Sequence, residues 1–101
     1  MGRDTMVAYV VGEVIVTDDA FAEEYRPKVR ELIEKHDGKF ISGGGFEKLE
    51  GDRPSPDWFV IIEFPTSAAA RAWYDDPNYA PLIELRDRGS RSEITLVEGA
   101  E

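Results

Sequence analysis

Residues 58–65, WFVIIEFP, form an apolar run of strand length, rich in β-branched and aromatic side chains, opened by Asp57 and closed by a proline. A run apolar at all but one position before its proline fits a central strand buried on both faces. Residues 6–16, MVAYVVGEVIV, have the same character. Their alternation places Tyr9, Val11, Glu13 and Ile15 on one face and Ala8, Val10, Gly12, Val14 and Val16 on the other. Both faces are largely apolar, so these two strands predict a sheet whose middle needs cover on each side.

Outward from the two strands, the chain alternates helix and strand signals. Thr17, Asp18 and Asp19 are N-cap candidates, and Glu23 and Glu24 follow at the positive end of a helix that starts near Asp18. Phe21, Tyr25, Val29, Leu32, Ile33 and His36 recur at three- and four-residue steps, which makes one buried stripe. Pro27 removes the bond to the Glu23 carbonyl and predicts a kink or a loosened first turn. Gly38 is the expected left-handed residue at the helix end. Residues 40–42 read as a short edge strand, bent by Gly43-Gly44-Gly45 and resuming over 46–50, and residues 51–56 read as loop. Beyond the central strand, Thr66-Ser67 cap a helix over 68–74, and Asp75-Asp76-Pro77 end it. Asn78 is the expected cap of a third helix with Tyr79, Leu82, Ile83 and Arg86 on one face and Gly89 as its stop; residues 93–98 are the last strand.

At 101 residues with 42% hydrophobic side chains, the chain is the size of one domain, spanning 1–101, with an ordinary packed core. Its net charge of −9 makes nucleic acid and anionic membranes poor partners, and no apolar stretch approaches the ~20 residues of a bilayer span. With no h-region of its own near the start, the expected location is the cytoplasm. The absence of cysteine removes thiolate chemistry and Cys-based zinc sites, and His36 is the sole imidazole; no metal and no cofactor are expected.

The order strand, helix, strand, strand, broken helix, strand is the split βαβ arrangement. It predicts an α+β, ferredoxin-like domain with a four-stranded antiparallel sheet whose first and third strands are central. All helices then lie on one face, and Tyr9, Val11, Phe59 and Ile61 remain on the other. Leaving roughly six large apolar side chains in water at about 1.5–3 kcal/mol each would rival a small domain's whole stability. A second copy is the natural cover, which predicts a homodimer through the sheet face, pairing as a dimeric α/β barrel.

The segments AYVVGEVIVTD, FEKLEGD, VIIEFP followed by SAAARAWYDDPNY, and LVEG resemble the bacterial family of domain of unknown function 1330, within the dimeric α/β-barrel superfamily. The likeness spans residues 7–99, and the EFP to PNY block is its most specific part. It implies the same ferredoxin-like dimer. For activity it implies only fold-level analogies, to cofactor-free monooxygenases, haem-degrading enzymes and muconolactone-type isomerases. Where the family tends to have paired glycines after the first helix, this chain has His36-Asp37-Gly38.

Three sets of residues carry candidate chemistry. His36, on the apolar stripe at a helix C-terminus, is a candidate acid or base in a pocket between sheet and helices, or else a structural helix-end residue. Glu13 and Glu63 interrupt apolar strands, as a pocket carboxylate or as ion pairs with arginine; in antiparallel strands they fall on the order of 10 Å apart, too far for a dyad. Tyr9, Tyr25, Trp58, Trp73 and Tyr79, with Tyr74, are candidates to line a cavity for a small, flat apolar ligand, or plain core. Two function classes follow. One is a metal-independent enzyme of isomerase or cofactor-free monooxygenase type, acting on a small apolar or aromatic metabolite through His36 or Glu13. The other is a non-catalytic small-molecule-binding or accessory dimer.

Overall fold

The computed structural model describes residues 6–100. Its elements are β1 (Ala8–Val16), a 3-10 turn (Asp19–Phe21), α1 (Ala22–Lys35), β2 (Lys39–Phe40), β3 (Trp58–Phe64), α2 (Ser67–Tyr74), α3 (Ala80–Asp87) and β4 (Ser90–Glu98). The sheet order is β2-β3-β1-β4 with every pairing antiparallel, so β1 and β3 are central, as their apolar runs require. The architecture is the ferredoxin-like α+β fold. Among the described residues, no helix is long and apolar enough to cross a membrane.

The register assigns each side chain a face. Val10 stands opposite Ile62 and Leu96, and Gly12 opposite Val60 and Ile94, all on the helix side. There they meet Phe21, Tyr25, Val29, Leu32 and Ile33 from the first helical segment, Ala70 and Trp73 from α2, and Tyr79 and Leu82 beside them. Tyr9, Val11, Glu13 and Ile15 face away, with Phe59, Ile61 and Val97 beside them. Ile15 is 38%, Phe59 36% and Val97 44% exposed, so among the described residues the outer face is apolar and covered only in part, by the 46–56 segment whose Phe46 ring lies 5.4 Å from that of Phe59.

Local sequence explains the helix ends, with two corrections there and one at the edge strand. Asp18 accepts from Ala20 N–H (3.0 Å), and the entry is a tight 3-10 turn before α1 continues through Pro27. The left-handed residue after α1 is Asp37 (φ 67°), not Gly38. Asp37 N–H bonds Glu34 O (3.0 Å) and Gly38 N–H bonds Ile33 O (2.9 Å), a Schellman closure that a short aspartate tolerates. Gly38 is needed for space instead, because a Cβ there would stand 2.6 Å from Phe64 Cε1 and 2.7 Å from Ile33 Cγ2.

The edge strand does not resume over 46–50. Ser42 Oγ accepts from Ile61 N–H (2.8 Å), taking the place of a backbone partner, and no strand occurs between there and Trp58. Thr66 caps α2 as expected, accepting from Ala69 N–H (3.0 Å). Asn78 does not cap α3. Asp76 organises that turn, its Oδ1 accepting from Asn78 N–H and its carbonyl from Tyr79 N–H, each at 2.8 Å.

Candidate functional site

Between the helix side of the sheet and α1 lies a cavity of about 610 Å³. Its floor is opened by Gly12, where a Cβ would come 2.9 Å from Val60 Cγ2. Tyr25 and Trp58 form walls, and Trp73, Tyr79 and Arg86 form its inner end. The inner rings are packed on one another, Trp73 to Tyr79 with centroids 4.6 Å apart and Trp73 to Phe64 at 5.6 Å, so their positions are fixed by the core.

Arg86 is 4% exposed, an unusual burial for a guanidinium. Its Nη1 donates to Tyr79 Oη at 2.9 Å and more weakly to Tyr25 Oη at 3.5 Å. Its Nε lies 3.5 Å from the exposed Asp87 carboxylate, but the alignment is not that of a hydrogen bond, and the Nε–H is a buried donor without an acceptor. The Trp73 Nε1–H is a second such donor. Each unmet buried donor costs about 1–3 kcal/mol, so this cavity is incompletely satisfied in two of the side chains that border it. Burial works against the Arg86 charge, but the tyrosine oxygens beside it outweigh that effect and hold it protonated. Burial, reinforced by Tyr25, pushes the Tyr79 hydroxyl above its ordinary range, so it remains a neutral phenol and a hydrogen-bond donor.

At the mouth, two more guanidiniums are placed by aromatic rings. Arg26 stacks over Trp58 at 4.4 Å and Arg30 over Phe40 at 4.7 Å. Asp57, at the same opening, accepts from Val16 N–H (2.8 Å) through its carboxylate.

Of the residues expected to line a ligand site, Tyr25, Trp58, Trp73 and Tyr79 border this cavity. Tyr9 lies on the opposite face of the sheet, next to Glu63 in register. Glu13 is on that outer face too, directly opposite Glu93 of β4, and lines a shallow groove of about 1000 Å³ shared with Phe59, Arg91 and the 46–56 segment. That groove is larger, but exposed loop bounds much of it, and it lacks the convergence of fixed aromatic and polar groups. Glu63 pairs with Lys39 at 3.5 Å, four register steps along β1 from Glu13, so the two glutamates form no dyad.

His36 does not border the cavity. Its Nε2 is 2.8 Å from Asp76 Oδ2, which also meets Lys35 Nζ at 3.2 Å. This cluster ties the end of α1 to the α2–α3 turn. The His36 contact first, then Asn78 N–H and Lys35, hold the Asp76 carboxyl down at about 2, against its ordinary 3.8. Asp76 therefore stabilises the fold fully above pH 3.8, and that contribution is lost as pH falls towards about 2. Urea unfolding at a series of pH values across this window should show a steep acid limb that Asp76→Asn flattens, with lower stability at neutral pH. Among the described residues, no group of three or more histidine, aspartate or glutamate side chains stands where it could hold a metal.

Arg86 is the site residue that sequence reasoning missed. Its spacing from Tyr79 and Leu82 puts it on the buried face of α3, and a charge on a buried face was the available signal.

The family described as a domain of unknown function (DUF1330) matches residues 7–100. No curated protein matches the chain. Among solved structures, a protein of unknown function from Rhodopseudomonas palustris is similar at 21% identity and TM-score 0.75, over 96% of this chain and 85% of that one. SnoaB, a cofactor-independent oxygenase from Streptomyces nogalater, is similar at 17% identity and TM-score 0.66, over 95% of each chain. A Bacteroides thetaiotaomicron protein titled a possible oxidoreductase follows at 16% identity and TM-score 0.56, over 94% of this chain and 99% of that one. At these identities the likeness concerns the fold.

Proposed function

We propose that this chain, which belongs to the domain of unknown function 1330 family, is a small homodimeric enzyme that works on a compact aromatic or apolar metabolite with its own side chains, as a cofactor-independent oxygenase or an isomerase. The observation that carries this reading is the cavity whose aromatic walls converge on Arg86, with unmet donors on Arg86 and Trp73. Fixed donors in a dry site stabilise negative charge that develops on a substrate oxygen. Charge held on that oxygen eases loss of a proton from the neighbouring carbon, the proton passing to the Asp57 carboxylate at the opening or to water, a step open to isomerisation and to oxygenation of an activated carbon alike. The description of SnoaB as a cofactor-independent oxygenase supports the oxygenase form. The dimer rests on the apolar outer face that none of the helices covers, where a cation from the partner would also relieve the opposed Glu13 and Glu93.

One observation favours a second reading, a binding protein without turnover. His36 is engaged outside the cavity, and the carboxylate at the opening, Asp57, is held by Val16 N–H, so no imidazole faces the ligand space among the described residues. A thermal-shift screen of aromatic ketones, quinols, lactones and carboxylic acids, followed by oxygen uptake and absorbance assays on the hits, separates the two. A ligand at 100 times its Kd adds about 2.7 kcal/mol of stability. Turnover of a hit establishes the enzyme, binding without turnover the second reading, and a library with no hit counts against both.

A further inference from the structure

We infer that the ligand of this cavity is an acid, an aromatic or alicyclic compound bound through its carboxylate, with its ring between Tyr25, Trp58 and Tyr79. The inference deepens the proposed function and rests on its cavity being the ligand site.

Two independent features point to the charge. The first is at the inner end. Arg86 is almost fully buried, its hydrogen bonds go to neutral phenols through Nη1, and the carboxylate nearest its Nε, the exposed Asp87 at 3.5 Å, does not accept a hydrogen bond from it. A carboxylate has two oxygens in the plane and at the spacing of a guanidinium edge, and Trp73, which borders the same cavity, holds a second unmet donor in its Nε1–H. A neutral amide in that place would leave the guanidinium without a counter-charge, and its N–H groups would find only the Tyr25 and Tyr79 oxygens, which already accept from Arg86.

The second feature is at the mouth. The chain carries a net charge of −9, yet the charged side chains bordering this cavity are Arg26, Arg30 and Arg86 against Asp57 alone. A local cationic opening on an acidic protein draws in anions and turns away cations. The stacking of Arg26 on Trp58 and Arg30 on Phe40 holds those charges at the entrance. A phosphate ester fits less well. The walls are largely aromatic and aliphatic, and one guanidinium with one indole N–H matches a monoanion better than a dianion.

The test is nitrogen–proton NMR on the full chain, which has two indole N–H signals, from Trp58 and Trp73, told apart with Trp73→Phe. Benzoate, phenylacetate and cyclohexanecarboxylate are titrated beside their primary amides at two salt concentrations. The acids should move the Trp73 indole signal, bind at least about tenfold tighter than the amides, and weaken as salt rises. Trp73→Phe, which keeps an aromatic ring, should lower acid affinity about tenfold. Amides that bind as well as acids and move the same signal would overturn the carboxylate while leaving the cavity as the ligand site. Acids that bind without moving Trp73 would overturn the inner seat and leave only the cationic mouth. If neither acids nor amides bind, the cavity reading itself falls.

Discussion

Ile61→Arg is expected to convert a particle of two chains into monomers with a lower, concentration-independent melting midpoint. Ile61 stands opposite Val11 at the middle of the two central strands, on the sheet face that none of the helices covers. Around it are Ile15, Phe59 and Val97, each more than a third exposed in a single chain. At about 1.5–3 kcal/mol for each large apolar side chain removed from water, covering this face with a second copy contributes on the scale of a small domain's total stability of about 5–15 kcal/mol. An arginine buried there without a partner would cost several kcal/mol per subunit, and a two-fold interface applies that cost twice. Light scattering should therefore report half the mass of the parent protein. Arginine at Leu49, which is 89% exposed, should leave the mass unchanged. An Ile61→Arg protein that stays folded and paired would remove the outer face from any role in association.

The faces of β1 and β3 were legible because alternation is a local property and the helix side demanded apolar residues at every second position. The stripe on α1 and the Thr66 cap were legible for the same reason, since each is written within one or two turns of chain. What could not be read depends on contacts between distant segments. Asp37 takes the left-handed position, and the glycine after it is needed where a Cβ would meet Phe64, which lies 26 positions further on. The sequence leaves open whether His36 serves a pocket or ends a helix, because its contact Asp76 is 40 residues away. Ser42 ends the edge strand by a side-chain bond to Ile61, which strand propensity does not encode.

The candidate site divides along the same line. Tyr25, Trp58, Trp73 and Tyr79 could be gathered from the sequence as aromatics with polar tips, and they do border one cavity. Tyr9 shares their composition but falls on the other side of the sheet, which the alternation of β1 already implied. Arg86 was visible as a member of a buried helical face, yet a long cationic side chain at such a position ordinarily carries its charge out to water. That it stays inside, against two phenols and without a hydrogen-bonded carboxylate, is a property of the assembled core.

Arg86→Met should leave the ligand-free protein about as stable as the parent while removing acid binding. Methionine is flexible and apolar enough to occupy the same passage through the core. Replacing a buried ionic group by apolar side chains is often neutral or stabilising, by about 1–4 kcal/mol. Against that gain, the Tyr79 hydroxyl loses its 2.9 Å donor and Tyr25 a weaker one, at about 1–3 kcal/mol for a buried polar group left unmet. The two terms nearly cancel, so the melting midpoint should move by only a few degrees. Binding has no such compensation, because truncating one side of a buried charge pair costs about 2–5 kcal/mol, roughly thirtyfold or more in affinity. Arg86→Lys retains the charge but lacks the planar fork, and its affinity should fall between the two. An arginine placed there purely to hold the fold would behave in the opposite way. Its removal would then lower stability by about 3–5 kcal/mol, as breaking a buried pair does, and affinity would follow only the folded fraction. Urea unfolding and acid titration of the same three proteins therefore decide whether Arg86 serves a ligand or the core.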